Sequence, residues 1–380
     1  MERRIDRAGI SRFLDEMVET GVVSAAVALI GEPDQVLWAS SAGWMRGRGE
    51  AGVRSRVSTR FDLASLTKPL TATLALALDA DGTLPLETTV GEIWPEMVHP
   101  DLADRPLSDL LRHRAGLAAW APFYHLCRTR GQVLGRLLSG EHLGARPGTY
   151  SDLGPLLYGM AAEQRTGEDL ARLLRARVLA HPLWLSGVVP SPGPRADVAE
   201  CTMHTGKEIE LAAGLGIAIA NQGPPATGWP QDGNARFLVG LRGGAGRRSQ
   251  TEGHAGLFGR AQDLWRLGAE WLEPRRLLKP ETVQAALGGD GPFALGWERA
   301  TSPRGQASAG PDLSAASFGH TGFAGGSLWI DPEARRILVL LTHRTDPGND
   351  MNSWRRRFHT LVQTSALRRS KKRAPTEATL

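Results

Sequence analysis

The chain has 380 residues, of which 41% are hydrophobic and 22% charged, and its formal net charge is +5. That length exceeds one small core and suits one large or two intimate domains, with a composition ordinary for a soluble globular protein. Nowhere do eighteen uncharged apolar residues run together, and no basic stripe is interleaved with aromatics, so neither a transmembrane helix nor a nucleic-acid partner is expected. The N-terminus, Met1-Glu2-Arg3-Arg4-Ile5-Asp6, carries both signs of charge and no apolar segment. It does not read as a signal peptide, and a cytoplasmic location is expected. Ile10, Phe13, Leu14, Met17 and Val18 fall at helical spacing, and Gly21 stops that helix. Two β-like runs follow, Val22–Ile30 and Gln35–Trp44, joined through Gly31-Glu32-Pro33-Asp34 as a hairpin. The alanine-rich segment Thr67–Leu78 predicts a buried helix beginning near Ser65, with Pro69 in the first turn, where a missing N–H costs least.

From Leu107 to about Arg175 the pattern is mostly helical, with breaks at Gly116, Pro122, Pro147-Gly148 and Gly154-Pro155. Leu170, Leu173, Leu174 and Val178 mark a further amphipathic helix. The stretch 185–252 has little periodicity, and Leu241–Glu252, basic and glycine-rich, reads as a mobile surface loop. A helix is expected over Ala261–Leu272, then β runs at Phe293–Trp297, Gly325–Ile330 and Ile337–Thr342. The last two form a second hairpin through Asp331-Pro332. A final helix covers Met351–Leu367, and 368–380, with Arg368-Arg369-Ser370-Lys371-Lys372-Arg373, reads as a basic disordered tail. Cys127 and Cys201 are too few for a disulfide framework and lie outside any C-x-x-C, so both read as buried thiols. No internal repeat is evident. The expected architecture is α+β: one antiparallel sheet flanked by helices and built from both termini. Residues 1–64 and 261–367 form its two halves, and a mainly helical domain, 65–260, is inserted between them.

Three separated stretches carry chemistry. In Phe61-Asp62-Leu63-Ala64-Ser65-Leu66-Thr67-Lys68, Ser65 and Lys68 lie one turn apart on one helix face, as suits a hydroxyl and the base that activates it. Alone, Ser65 reads first as a helix N-cap, and Lys68 has a solvated charge as its lesser alternative. In Pro147-Gly148-Thr149-Tyr150-Ser151-Asp152-Leu153-Gly154, Tyr150 follows a turn that aims it into a cleft. Its ordinary pKa of about 10 means that nearby positive charge must help it act as a base, and Lys68 is the source at hand. In Phe318-Gly319-His320-Thr321-Gly322-Phe323, a strand edge is expected, with Gly322 letting a substrate approach the backbone. His113 and His254 lack metal-ligand spacing and read as structural; neither a G-x-S-x-G elbow nor a phosphate loop is present.

In this order, the stretches resemble those of the serine β-lactamase and penicillin-binding-protein superfamily. The nearest branch holds class C β-lactamases, D-stereospecific peptidases and β-lactamase-like esterases. There S-x-x-K carries the nucleophile, Y-x-N a tyrosine base, and K-T-G or H-T-G a strand edging the site. The resemblance spans about residues 10 to 365 and includes Leu110-Leu111-Arg112-His113-Arg114-Ala115-Gly116-Leu117, Gly253-His254-Ala255-Gly256-Leu257-Phe258 and Leu328-Trp329-Ile330-Asp331-Pro332. It implies Ser65, Lys68 and Tyr150 as catalytic, with Asp152, His320, Thr321, Gly322 and Phe323 binding substrate. It also implies an oxyanion hole made by the Ser65 and Phe323 N–H groups.

Two departures matter. Asp152 stands where class C enzymes have asparagine; ionised, it accepts hydrogen bonds only, though it could hold Lys68 charged and so help Tyr150 ionise. It reads otherwise as a solvated loop carboxylate. His320 stands where β-lactamases have lysine, and a neutral histidine attracts a substrate carboxylate less. The expectation is a serine hydrolase of esters or amides working through a Ser65 acyl-enzyme, with acyl transfer if an alcohol or amine displaces water. Its partner is a small-molecule acyl substrate, and no cofactor or metal is called for. The alternative is a catalytically silent, penicillin-binding-like protein, for which Asp152 and the 241–252 loop speak.

Overall fold

The structure is a computed structural model that describes residues 5–180, 182–201, 206–219, 226–242, 250–346 and 348–367. The first helix, α1 (Arg7–Glu19), is capped by Asp6, whose Oδ1 accepts the Gly9 N–H at 2.9 Å. It buries Ile10, Phe13, Leu14 and Met17, the stripe its spacing predicts. The main sheet comprises β1 (Val23–Glu32), β2 (Gln35–Arg46), β3 (Val53–Arg54), β4 (Phe293–Ala294), β5 (Trp297–Arg299), β6 (Phe318–Thr321), β7 (Ser327–Asp331) and β8 (Arg336–Arg344). Its order is β3-β2-β1-β8-β7-β6-β5-β4, antiparallel throughout. The two ends of the chain meet where β1 pairs with β8, with Ala28 opposite Leu340 and Ile30 opposite Leu338. The sheet is therefore built from both termini, as expected.

The period-2 alternation of strands divides the apolar residues between two faces. Ala26, Ala28, Ile30, Trp329, Leu338 and Leu340 pack with α1 and the C-terminal helix Met351–Leu367. Ala25, Val27, Leu29, Leu328, Ile330, Val339 and Leu341 belong to a second cluster with Leu264, Leu267 and Trp271 of the helix Ala261–Leu272. That cluster continues without a break into the helical segment, through Leu70 and Leu74 of α2 (Thr67–Ala80) and Leu156 and Leu157 of α3 (Leu153–Thr166).

Several local expectations change. Gly154-Pro155 does not break the helical pattern but opens α3, because a proline in the first turn forfeits no hydrogen bond. Gly154 is needed there: a Cβ would sit 2.3 Å from the Leu110 carbonyl. The run Phe293–Trp297 splits into the short strands β4 and β5. Among its described residues the aperiodic region holds two helices, Gly206–Gly214 and Gly233–Leu241. The expected 241–252 loop is not solvated at its C-terminal end, although Leu241 at its start is exposed. Thr251 and Glu252 are buried, and Arg242 pairs with Glu163 and Glu252. The rest of that loop, 243–249, and the basic tail lie outside the described residues. Cys127 and Cys201 are buried free thiols. Among the described residues no helix is long and apolar enough to cross a membrane.

Candidate active site

Ser65 stands in a single 3-10 turn, Ala64–Leu66, that runs straight into α2. Ala64 before it has φ +45°, a left-handed backbone that costs a non-glycine residue about 1–3 kcal/mol and needs surrounding contacts to hold it. Asp62 provides them: its Oδ1 accepts the Ala64 N–H at 2.9 Å and its Oδ2 the Gln231 N–H at 2.7 Å. Burial pushes the Asp62 carboxyl up to about 6, against those two hydrogen bonds. From below, a small sheet pairs Phe61–Asp62 with Leu257–Gly259, which brings Gly253 and His254 under α2.

Lys68 is fully buried. Its Nζ donates to Ser65 Oγ at 2.8 Å, to Asp152 Oδ1 at 2.6 Å and to the His254 carbonyl at 3.3 Å, a partner for each of its protons. Burial works to strip the charge, but Asp152 and Tyr150 outweigh it and hold Lys68 protonated, above the ordinary lysine range. Lys68 is therefore not a solvated charge, nor is Asp152 a free loop carboxylate.

The turn carrying Tyr150 is pinned to the 113–119 segment. Gly148 N–H donates to the His113 carbonyl, Ser151 N–H to His113 Nδ1, Ser151 Oγ to the Ala118 carbonyl, and Asp152 N–H to the Ala119 carbonyl. His113 accepts at Nδ1 and is buried, and burial together with the Lys68 charge pulls it down to about 3, so the ring is neutral. Its ring lies against Tyr150, 4.8 Å between centroids, so the structural role expected of His113 is to shape the site. Tyr150 OH stands 3.0 Å from Ser65 Oγ. Burial raises the phenol above its ordinary range and outweighs the opposing charges of Lys68 and Arg304, while Asp152 adds to the rise. The expectation that Lys68 makes Tyr150 ionise therefore holds in direction only: at rest the phenol keeps its proton.

A cavity of about 280 Å³ opens here, and Ser65, Tyr150, Asp152, Thr321, Gly322 and Phe323 line it. A larger one, about 350 Å³, against Trp184, Trp265 and Arg275, has no serine, tyrosine, cysteine or histidine among the described residues that line it. His320 is the one expected substrate contact that does not line the active-site cavity. It is buried behind Tyr150, 5.8 Å between ring centroids, with Nδ1 on the Thr321 carbonyl at 2.8 Å. Burial, with the Lys68 and Arg304 charges, drives its pKa well below the ordinary histidine value, so it is neutral. Nor is β6 an edge strand of the sheet. Its ladder to β5 stops at Glu298 opposite Gly319, which leaves His320-Thr321-Gly322 as a local edge.

Other residues reach the cavity unannounced by the sequence. Arg304 lies over the Tyr150 ring, 4.1 Å from its centroid. Behind it is Glu298, 1% exposed, whose two oxygens make no hydrogen bond among the described residues although Arg304 Nε is 3.2 Å away. Burial raises Glu298 to about 7. Asp232 and Glu208, two neighbouring carboxyls, also line the cavity. Burial and the Asp232 charge push Glu208 up to about 8, while the His254 ring overcomes burial and holds Asp232 at about 2. Arg344 and Arg355 complete the lining. None of these has a sequence signal: they sit in arginine runs or aperiodic stretches whose bland reading is solvated charge.

The family model described as "Beta-lactamase" matches residues 10–361. Esterase EstB from Burkholderia gladioli is 28% identical, over 90% of this chain and 93% of its own. N-acetylmuramyl-L-alanine amidase from Bacillus subtilis (strain 168) is 26% identical, over 88% of this chain and 80% of its own. Among solved structures, EstCE1, described as a hydrolase with promiscuous acyltransferase activity, has a TM-score of 0.69 at 20% identity, covering 94% of this chain and 97% of that one. Such relatives are hydrolases, and with the match running almost end to end, the chain belongs to the beta-lactamase family.

Proposed function

We propose that the protein is a serine hydrolase that opens an ester or amide through an acyl-enzyme on Ser65. The observation that carries the reading is the convergence on one oxygen of two groups from distant parts of the chain: Lys68 Nζ at 2.8 Å and Tyr150 OH at 3.0 Å from Ser65 Oγ. Ser65 Oγ attacks the carbonyl carbon as its proton passes into the Tyr150–Lys68 pair. The backbone N–H groups of Ser65 and Phe323 receive the developing oxyanion, and the pair returns the proton to the leaving group. Water then repeats the sequence to release the acid. Because Lys68 is charged and Tyr150 neutral at rest, the pair must first lose a proton, so kcat/KM rises with pH as the pair titrates.

The substrate is a small molecule, in keeping with a cavity of about 280 Å³. His320, buried and neutral, supplies no cation for a substrate carboxylate, but Arg304 and Arg344 line the same cavity, so the charge of the cavity does not select against one and the proposed classes are esters and amides. The esterase and amidase names of the relatives support esters and amides as the classes to test. Asp152, which spoke for a silent binding protein, is engaged with Lys68 and supports catalysis instead. The acyltransferase activity named for EstCE1 supports testing an added alcohol as acceptor.

Hydrolysis of p-nitrophenyl butyrate by the wild type and by Ser65→Ala tests the reading. The variant is expected to lose activity by about 10³-fold or more and to form no fluorophosphonate adduct. Equal rates in the two proteins, or an adduct elsewhere, sink it.

A further inference from the structure

The turn after β6 is held in a way that side-chain packing does not require. Each carbonyl from Gly322 to Gly326 is caught by a donor on the side of β8 and the C-terminal helix. Arg355 Nη2 donates to the Gly322 carbonyl at 3.0 Å and to the Gly326 carbonyl at 3.1 Å, and its Nε to the Gly325 carbonyl at 3.2 Å. Thr342 Oγ1 and the Arg344 N–H donate to the Ala324 carbonyl at 2.8 and 3.2 Å, and Arg344 Nη1 to the Phe323 carbonyl at 3.4 Å. Only a guanidinium offers a planar fork that reaches three carbonyls at once. Asn352, one helical turn back, holds that fork in place: its Oδ1 accepts from Arg355 Nη1 at 2.7 Å.

The carbonyl directions decide the N–H directions. Across a trans peptide the C=O of Gly322 and the N–H of Phe323 point opposite ways. With the Gly322 carbonyl fastened to Arg355, the Phe323 N–H is fixed on the other side. Gly322 itself presses on the turn that carries Ser65, since a Cβ there would stand 2.8 Å from the Leu63 carbonyl. Ser65 and Phe323 line the same cavity. Gly322 has no side chain to resist a flip of that peptide, so the restraint must come from outside the turn.

We propose that Arg355 is the positioning residue of the oxyanion hole: by binding the Gly322, Gly325 and Gly326 carbonyls it locks the Phe323 N–H toward the carbonyl oxygen of the substrate. The inference rests on the reading of Ser65 as the acylated serine. It gives a fully buried arginine in the cavity wall a task distinct from binding substrate, and it makes Asn352 a second member of the same device.

Arg355→Lys and Asn352→Ala test it with p-nitrophenyl butyrate kinetics, thermal melting and the affinity of phenylboronic acid, whose tetrahedral Ser65 adduct occupies the oxyanion hole. Loss of one oxyanion donor costs about 10²–10³ in kcat. Arg355→Lys is expected to lower kcat by about 10²-fold with KM within about threefold, and phenylboronate affinity should fall in parallel. Asn352→Ala, which leaves the guanidinium present but unanchored, is expected to lower both by about three- to tenfold, with melting close to wild type. Phenylboronate affinity within about twofold of wild type in a folded variant overturns the proposal; if Arg355→Lys does not fold, Asn352→Ala decides alone. A wild type that forms no Ser65 adduct with a fluorophosphonate fails earlier and takes the acyl-enzyme reading down with it.

Discussion

The two walls of the cavity are built on opposite plans. On the helical wall the groups that matter are side chains: Ser65, Lys68, Tyr150 and Asp152 meet through hydrogen bonds of 2.6–3.0 Å that join three oxygens and one ammonium. On the sheet wall the groups to which we assign a role are peptide units of the Gly322–Gly326 turn, held by the side chains of Arg344 and Arg355. The helical wall is thus tuned by charge, because each member alters the proton affinity of the others. The sheet wall is tuned by orientation, because a peptide N–H has no pKa to adjust and can only be aimed. Substitutions on the two walls should therefore fail in different ways.

The sharpest break is Lys68→Met. It removes the charge that Tyr150 and Asp152 share and leaves Asp152 beside an apolar group. Ester hydrolysis is expected to fall by about 10²–10⁴-fold at all pH values, with the Ser65 adduct forming correspondingly slowly in stopped-flow labelling. Arg355→Lys should cost kcat about 10²-fold without moving the pH profile, which distinguishes an aiming defect from a charge defect.

Asp152→Asn sharpens the charge side. The Asp152 carboxylate raises both Lys68 and Tyr150, so its removal should let the pair lose its proton more readily. The rising limb of kcat/KM is expected to move to lower pH, read from pH–rate profiles of the two proteins; an unmoved or alkaline-shifted limb refutes the assigned coupling. This variant also restores the residue type that the resemblance leads one to expect at that position.

The smallest effect concerns Glu298, behind Arg304 on the sheet wall, and it is one of stability. Its carboxyl is raised by burial from the usual glutamate value to about 7. Between the two values the folded protein holds a proton that the unfolded chain has lost, so stability is fully present below about pH 4.5 and declines as pH rises through 7. Glu298→Gln should remove a pH-dependent contribution on the order of 3 kcal/mol. Melting temperatures at pH 4.5 and 8 should then differ less in the variant than in the wild type. Equal differences in the two proteins show that Glu298 is not the titrating group.

Legibility followed the same division. The N-terminal helix, the two terminal hairpins and the buried helix after Ser65 were readable because each carries its signal in consecutive residues: the helical spacing of Ile10, Phe13, Leu14 and Met17 for the one, the short continuous apolar run of β1 for the other. Gly154-Pro155 misread as a break because glycine and proline signal either a loop or a first turn, and the choice belongs to the Leu110 carbonyl packed against Gly154. Three arginines in a row, Arg355-Arg356-Arg357, look alike in sequence. On a helix they point about 100° apart, so Arg355 is buried in the wall while Arg357 is exposed and pairs with Glu16.

By itself the sequence determined which side chains could do chemistry, and in what order they come: Ser65 with Lys68, then Tyr150 with Asp152, then His320-Thr321-Gly322. Chemical identity is a local property, and a resemblance of motifs preserves it. Only the tertiary structure decided that His320 turns away from the cavity, that Asp152 serves Lys68, and that Arg304, Glu208, Asp232 and Arg355 belong to the site. Those outcomes depend on which charges are taken out of water together and which carbonyls a buried guanidinium can reach. Both are set by contacts between residues tens to hundreds of positions apart, which no local pattern records.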